Sequence, residues 1–116
     1  MVTGHEYVPD AGDLIWINLD PHAGHEQAGR RPALVLSPAI YNGRKGLAVV
    51  APITSKLKGD SFQVVIPPGL KVAGAVLTDH LKSMDWRARK ASFRDVLPAS
   101  AMEKVKTRVA LLLVLK

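Results

Sequence analysis

The chain has 116 residues, 47% of them hydrophobic, which is enough for a real core and too apolar for wholesale disorder. Lys and Arg number 16 against 10 Asp and Glu; the formal charge of +6 favours a polyanionic partner, nucleic acid or an acidic protein ahead of an anionic membrane. No cysteine is present, which excludes disulfides, thiolate metal sites and cysteine nucleophiles and fits a reducing cytoplasm.

The length fits one domain spanning residues 1–116. The opening stretch "MVTGHEYVPD" lacks the basic region and apolar run of a secretory leader. The longest apolar run, residues 109–115, falls short of the roughly 20 residues that span a bilayer, so no membrane association is expected.

In chain order, "DLIWINL" (13–19) is apolar and β-branched and ends at Asp20-Pro21, as a strand does. "PALVLS" (32–37) is a second short strand, closed by Ser37-Pro38. The Asn42-Gly43 pair in "YNGRK" signals a hairpin turn leading into "GLAVVAPI" (46–53). "SFQVVIP" (61–67) alternates and ends at Pro67-Pro68-Gly69. A fifth strand starts near Ala73 and runs towards Trp86. The period then changes: Ala101, Met102, Val105, Val109, Leu112 and Leu113 recur at helical spacing. Pro98 precedes them, and Ser100 with Glu103 forms a candidate capping box. The expected fold is mostly β with a C-terminal helix: a strongly bent antiparallel sheet or small barrel closed by that helix, with Lys104, Lys106 and Arg108 on its solvated face.

The remaining basic residues concentrate in loops. Arg30, Arg31, Arg44, Lys45, Lys56 and Lys58 lie between predicted strands, and Lys82, Arg87, Arg89, Lys90 and Arg94 crowd one later segment. In an antiparallel sheet the loop before strand two and the loop after strand three share an end. Glu26, Arg30 and Arg31 are therefore expected near Thr54, Ser55, Lys56 and Lys58.

Several chemistries lack their residues. There is no P-loop, no Gly-x-Gly-x-x-Gly and no Gly-x-Ser-x-Gly. His22 and His25 sit in a Gly-containing loop with no evident third ligand, so no metal or other cofactor is expected. What stands out is "HEQAGRRPALVLSP" (25–38), in which Glu26, Arg30 and Arg31 meet at the mouth of a strand. Pro32 holds the Arg31 backbone extended, so the guanidinium leaves from a defined place. Its planar donor fork matches phosphate oxygens. Thr54 adds a hydroxyl at the end of strand three. The plainer readings are a salt bridge from Arg31 to Glu26 or Asp20, and an ordinary turn residue at Thr54. Such a cluster could still cleave RNA, which brings its own nucleophile, the 2′-hydroxyl; DNA lacks it. Glu26 is the base candidate. Arg31 suits charge stabilisation better than proton donation, because a guanidinium hardly ever deprotonates.

Three stretches together carry a resemblance: "YVPDAGDLIWINLDPHAGHEQAGRRPALVLSP", "APITS" and "DHLKSMDWRAR". The chain resembles the MazF (PemK/Kid-like) toxin family over nearly its whole length. That resemblance implies an SH3-like barrel with a C-terminal helix and a homodimer. It implies a metal-independent, sequence-specific endoribonuclease of a toxin–antitoxin module, acting on single-stranded RNA. Products would carry a 2′,3′-cyclic phosphate and a 5′-hydroxyl, and a MazE-like antitoxin with an acidic flexible tail would cover the RNA groove. The family's catalytic arginine falls on Arg31, its threonine on Thr54 and its loop glutamate on Glu26. Lys56, Lys82 and Arg89 become candidates for the RNA backbone, and His25, Arg30, Asp79 and His80 for base or groove contacts. Arg30, His25 and His80 depart from a close relative's His, Ser and Gln, which leaves the cleavage motif open. Trp86 reads as core or interface before base-stacking platform.

Two other readings remain. A related-fold gyrase poison would carry a Trp-Gly-Ile type C-terminus, whereas this chain ends Leu-Leu-Leu-Val-Leu-Lys. A non-catalytic RNA-binding module would share the basic groove and cut nothing.

Overall fold

The computed structural model describes residues 6–19 and 29–115. The order is β1 (Asp13–Asn18), β2 (Arg30–Val35), α1 (Ala39–Lys45), β3 (Ala48–Thr54), β4 (Gln63–Val65), β5 (Ala75–Leu77), β6 (Lys82–Met84), β7 (Ser92–Val96) and α2 (Ala99–Leu113). The seven strands form one antiparallel sheet in the order β4-β5-β3-β2-β1-β7, with β6 also paired to β3. It is strongly curved and open, not a closed barrel.

The curvature follows from where the apolar residues point. Successive strand residues face opposite sides, and β1, β2 and β3 are apolar on both. One side gathers Leu14, Leu34, Ala51 and Ile53 with Val64, Val76 and the Ala101, Met102 and Val105 face of α2. The other gathers Ile15, Ile17, Ala33, Val35, Ala48 and Val50 with Met84 and Trp86. A central strand buried on both faces reads as a continuous apolar run, which is why "DLIWIN" and "LAVVAPI" lack clean alternation.

β3 forks the sheet. Its first half pairs with β6, Ala48 opposite Met84 and Val50 opposite Lys82. Its last residues pair with β5, Ile53 opposite Val76 and Thr54 opposite Ala75. The single strand expected from Ala73 to Trp86 is therefore two, β5 and β6, broken by a turn. There the Thr78 hydroxyl donates to the Phe62 carbonyl at 2.6 Å, and the His80 amide donates to the Leu77 carbonyl at 3.1 Å.

Two further expectations are corrected. "YNGRK" is not a hairpin turn but the body of α1. Asn42 is fully buried; its amide donates to the carbonyls of Pro9 at 2.7 Å and Ser37 at 2.8 Å and accepts from the Ser37 hydroxyl at 2.6 Å. Its backbone carbonyl receives the Trp86 indole N–H at 3.0 Å. A solvent-facing turn would leave this amide without its partners, and the left-handed residue is instead Gly46 (φ 71°), which caps the helix. The capping box of Ser100 and Glu103 does not form either. α2 begins at Ala99 with Pro98 as its cap residue and no side-chain cap, which puts Ser100 inside the first turn. Ala101, Met102 and Val105 are buried as the periodicity requires, but Leu112 and Leu113 are 40% and 51% exposed. Arg108 is only partly solvated: its Nε donates to the Ser61 carbonyl at 3.1 Å. Among the described residues no helix is long and apolar enough to cross a membrane.

Candidate active site

β2 runs antiparallel to β1 and β3, so the start of β2 and the end of β3 meet at one end of the sheet. There a cavity of about 610 Å³ opens between Arg30, Arg31 and Pro32 on β2, Ile53 to Lys56 at the end of β3, and Lys71 to Ala73, with Trp16 and Leu19 from β1 and its exit. The juxtaposition expected from topology thus holds for Arg30, Arg31, Thr54, Ser55 and Lys56. Glu26 and His25 lie outside the described residues, as does Asp20.

Among the described residues, the charged members of this lining are Arg30, Arg31, Lys56 and Lys71, all cations. They differ in what their side chains do. Arg30 is committed to structure: Nη1 donates to the Lys90 carbonyl at 2.9 Å and to Asn18 Oδ1 at 3.3 Å, while Nη2 donates to the Ser92 hydroxyl at 3.1 Å and the Trp16 carbonyl at 3.4 Å. It ties β2 to β1 and to the entrance of β7. Arg31, one residue on along the strand, is exposed at the cavity.

Thr54 is fixed twice. Its Oγ1 accepts the Lys56 amide at 3.0 Å, forming the turn that ends β3. Across the sheet Gly74 comes so close that a Cβ there would stand 2.3 Å from the Thr54 carbonyl oxygen. Gly74 also has φ +126°, a backbone that L side chains rarely adopt. The Thr54 hydroxyl therefore sits on a strand whose distance from its neighbour only glycine permits.

A second cavity of about 220 Å³ shares Thr54 and Lys56 with the first and continues to Lys58, Asp60, Gln63, Leu77, Asp79 and His80. Asp79 Oδ1 lies 3.6 Å from His80 Nε2. Lys58, expected in the main cluster, belongs here. Lys82 lines neither cavity; it is exposed on β6 opposite Val50. Arg89 is spent at the end of β1, donating from Nη1 to the carbonyls of Asn18 at 3.0 Å and Leu19 at 2.9 Å. Trp86 is 2% exposed and packed under Arg87, whose guanidinium carbon lies 4.2 Å from the ring centroid, so it is core and no platform for bases.

Sequence reasoning misses Trp16 and the wall from Lys71 to Ala73. Trp16 sits in an apolar run with no polar neighbour to mark it as a site residue, and nothing in "GLKVAG" signals that it folds over the end of β3. That wall is anchored to β7, because the Lys71 amide donates to the Asp95 carboxylate at 2.9 Å. The backbone amides of Lys71 and Val96 hold the Asp95 carboxyl below the usual carboxylate range.

Among the described residues no cluster of three or more His, Cys, Asp or Glu is placed to hold a metal. The first cavity is a cationic recess with a guanidinium and a hydroxyl in its walls, suited to an anionic phosphodiester. The second carries both signs of charge.

Known proteins resemble this chain in both sequence and shape. It is 43% identical over 107 residues to the endoribonuclease toxin MazF of Escherichia coli (strain K12), covering 92% of this chain and 96% of that protein. It is 33% identical over 108 residues to the E. coli endoribonuclease PemK, covering 90% of this chain and 81% of that protein. A crystal structure of MazF from Deinococcus radiodurans superposes with a TM-score of 0.86 at 52% identity, over 95% of this chain and 100% of that one. A chain of a MazE–MazF crystal structure from the same organism gives 0.86 at 46% identity, over 96% of this chain and 100% of that one. Residues 10–113 match the family of PemK-like, MazF-like toxins of type II toxin–antitoxin systems, and the chain belongs to that family.

Proposed function

We propose that this chain is a metal-independent endoribonuclease toxin that cleaves single-stranded RNA at a short motif. Relatives named endoribonuclease support the reaction class. The observation that carries the reading is that Arg31 and Thr54 share the walls of one cavity whose charged lining, among the described residues, is wholly cationic.

In the proposed reaction the scissile phosphate lies between Arg31 and Thr54. The ribose 2′-hydroxyl gives its proton to Glu26 and its oxygen bonds to phosphorus. The guanidinium of Arg31 offsets the added negative charge of the pentacoordinate phosphorus, and the Thr54 hydroxyl donates to a phosphate oxygen. The bond from phosphorus to the 5′-oxygen breaks and that oxygen takes a proton from water. The products are a 2′,3′-cyclic phosphate and a 5′-hydroxyl. Holding the reactants together replaces a bimolecular step with an intramolecular one. Lys56 contacts the flanking backbone, with Lys82 on a more distant path of the strand. His25, Asp79 and His80 contact bases. Arg30 and Arg89 enter this scheme through the shape they give the groove.

The proposed inhibitor is a MazE-like antitoxin whose acidic tail competes with RNA for the same cations, and the working unit is a homodimer. A MazE–MazF complex of a relative supports the partner.

The test is incubation of a long single-stranded RNA with the purified protein in EDTA, with Arg31→Ala alongside, followed by mapping of cut sites and end groups. Cuts at one short motif with 5′-hydroxyl ends, slowed on the order of 10²–10³-fold in the variant, are expected. Tight RNA binding with no cuts would leave a binding module. Neither cuts nor binding would turn the reading towards the gyrase poison.

A further inference from the structure

Four cations among the described residues line the first cavity, and three already have a part: Arg31 and Lys56 in the proposed reaction, Arg30 in the fold. Lys71 is the fourth. The residue is exposed, and no ion pair among the described residues includes it. It lines the first cavity and not the second, whereas Lys56 lines both. The two lysines therefore border different parts of the groove.

Lys71 belongs to the irregular segment between β4 and β5, where backbone is ordinarily mobile. Here the backbone is held. Leu70 packs against the core and Val72 lies within it, 5% exposed, so Lys71 stands between two inward-facing neighbours. The Ile66 amide donates to the Gly74 carbonyl at 2.9 Å and closes the base of the loop. The Lys71 amide donates to Asp95 Oδ2 at 2.9 Å. Asp95 is on β7, opposite Leu14 of β1, and its Oδ1 accepts the Val96 amide at 2.9 Å. Asp95 itself lines neither cavity. Its carboxylate reaches the groove only through the backbone of the residue that carries the fourth cation.

We infer that Lys71 is a further RNA contact, binding a phosphate that flanks the scissile one, and that Asp95 is the positioning residue that aims it. The inference rests on the ribonuclease reading above. Four cations around one recess repel one another until an anion enters. With the Lys71 backbone already fixed, only its side chain is left to order on binding, so less entropy is lost. Asp95 sets two effects of opposite sign against each other. Its charge alone repels RNA, so removing it should tighten binding. Its hydrogen bond holds a phosphate-binding residue in place, so removing it should weaken binding.

The experiment measures binding of a short single-stranded RNA across a salt series, each variant well below its melting temperature. One 2′-deoxyribose at the mapped cut site removes the nucleophile. Lys71→Ala should weaken binding roughly five-fold in dilute salt and lower the slope of log affinity against log salt by about 1, while Lys71→Arg keeps both. Asp95→Ala should weaken binding by roughly two- to five-fold. Asp95→Asn, which keeps an acceptor oxygen and loses the charge, should bind at least as tightly as wild type. The double variant Lys71→Ala/Asp95→Ala should lose no more than Lys71→Ala alone. With all-ribose RNA, Lys71→Ala and Asp95→Ala should raise KM and leave kcat near wild type. An unchanged salt slope in Lys71→Ala would overturn the contact. Tighter binding by Asp95→Ala, weaker binding by Asp95→Asn, or additive losses in the double variant would overturn the positioning role. In each of these cases a wild type that still cuts all-ribose RNA keeps the ribonuclease reading intact. A wild type that neither binds nor cuts would overturn both.

Discussion

Gly74→Ala is the sharpest perturbation of the proposed reaction, because the residue touches Thr54 only through the backbone. The new methyl would begin 2.3 Å from the Thr54 carbonyl oxygen, 3.1 Å from its carbon and 3.2 Å from the Ile53 side chain. Real contacts of this kind essentially never fall below 3.0 Å. The obstacle is backbone, so relief must come from β3 and β5 moving apart, by about 1 Å to reach ordinary contact. The Thr54 hydroxyl moves with its strand. A displacement of that size costs on the order of 10²-fold in rate when the group must meet a developing charge. Steady-state cleavage of a short fluorogenic RNA should show kcat falling by about that factor while KM changes far less. The backbone at φ +126° adds a strain of about 1–3 kcal/mol. Gly69→Ala separates the two effects, since Gly69 has φ +95° but nothing within 4 Å of where its new methyl would stand. It should lose stability of similar size and keep its kcat. Wild-type kcat in Gly74→Ala, or an equal kcat loss in Gly69→Ala, would refute the positioning argument.

Arg30→Lys should destabilise the fold by about 1–3 kcal/mol in urea titration, because one ammonium cannot serve the Lys90, Asn18, Ser92 and Trp16 acceptors together. Asn42→Ala should cost about 3 kcal/mol, stranding the buried carbonyls of Pro9 and Ser37, and both Arg31-dependent RNA binding and fold should fail together on heating. Burial and the hydrogen bond to Asp13 at 2.6 Å raise the Tyr7 phenol above its usual range, so its contribution is complete below about pH 10 and fades as pH rises further. Thermal melts from about pH 9 upward should lose less stability in Tyr7→Phe than in wild type. For Asp95 the sign reverses: its lowered carboxyl stabilises above the ordinary carboxylate range and that contribution is lost as pH falls through it. Asp95→Asn should flatten the acid side of the stability curve.

The strands buried on both faces are legible in the sequence, because an apolar run bounded by proline and glycine has few other readings. β1 to β4 fall within a few residues of the stretches that their composition marks. β7 is not legible. "SFRDV" is an edge strand with four of its residues exposed, so neither alternation nor an apolar run marks it, and its charges read as part of a basic segment. α1 misleads because Asn42-Gly43 is a turn signal only when the asparagine is solvated, and its burial depends on Pro9 and Trp86, distant in sequence. The meeting of Arg31 with Thr54 is legible from topology, since it needs only antiparallel neighbours. Gly74 is not, because a close backbone approach leaves no pattern in one sequence.

The basic residues carry the wider lesson about this groove. Net charge alone makes every arginine near the site a candidate for RNA, yet the neighbours Arg30 and Arg31 do different work. Arg30 faces three carbonyl or side-chain oxygens of β1 and the Lys90 turn, and a guanidinium fork in that position stitches strands together. Arg89 does the same for the exit of β1. Their charge remains in the field that draws a polyanion in, but Nη1 and Nη2 of Arg30 and Nη1 of Arg89 are engaged within the fold. Changing either should therefore alter stability first and RNA affinity second, whereas Lys56, at the junction of both cavities, should alter the salt dependence of binding with little effect on stability. Loss of one phosphate contact lowers the slope of log affinity against log salt by about 1. If Lys56→Ala left that slope unchanged and Arg30→Lys lowered it, the division between structural and ligand-facing cations would be wrong, and with it the path proposed for RNA across Thr54.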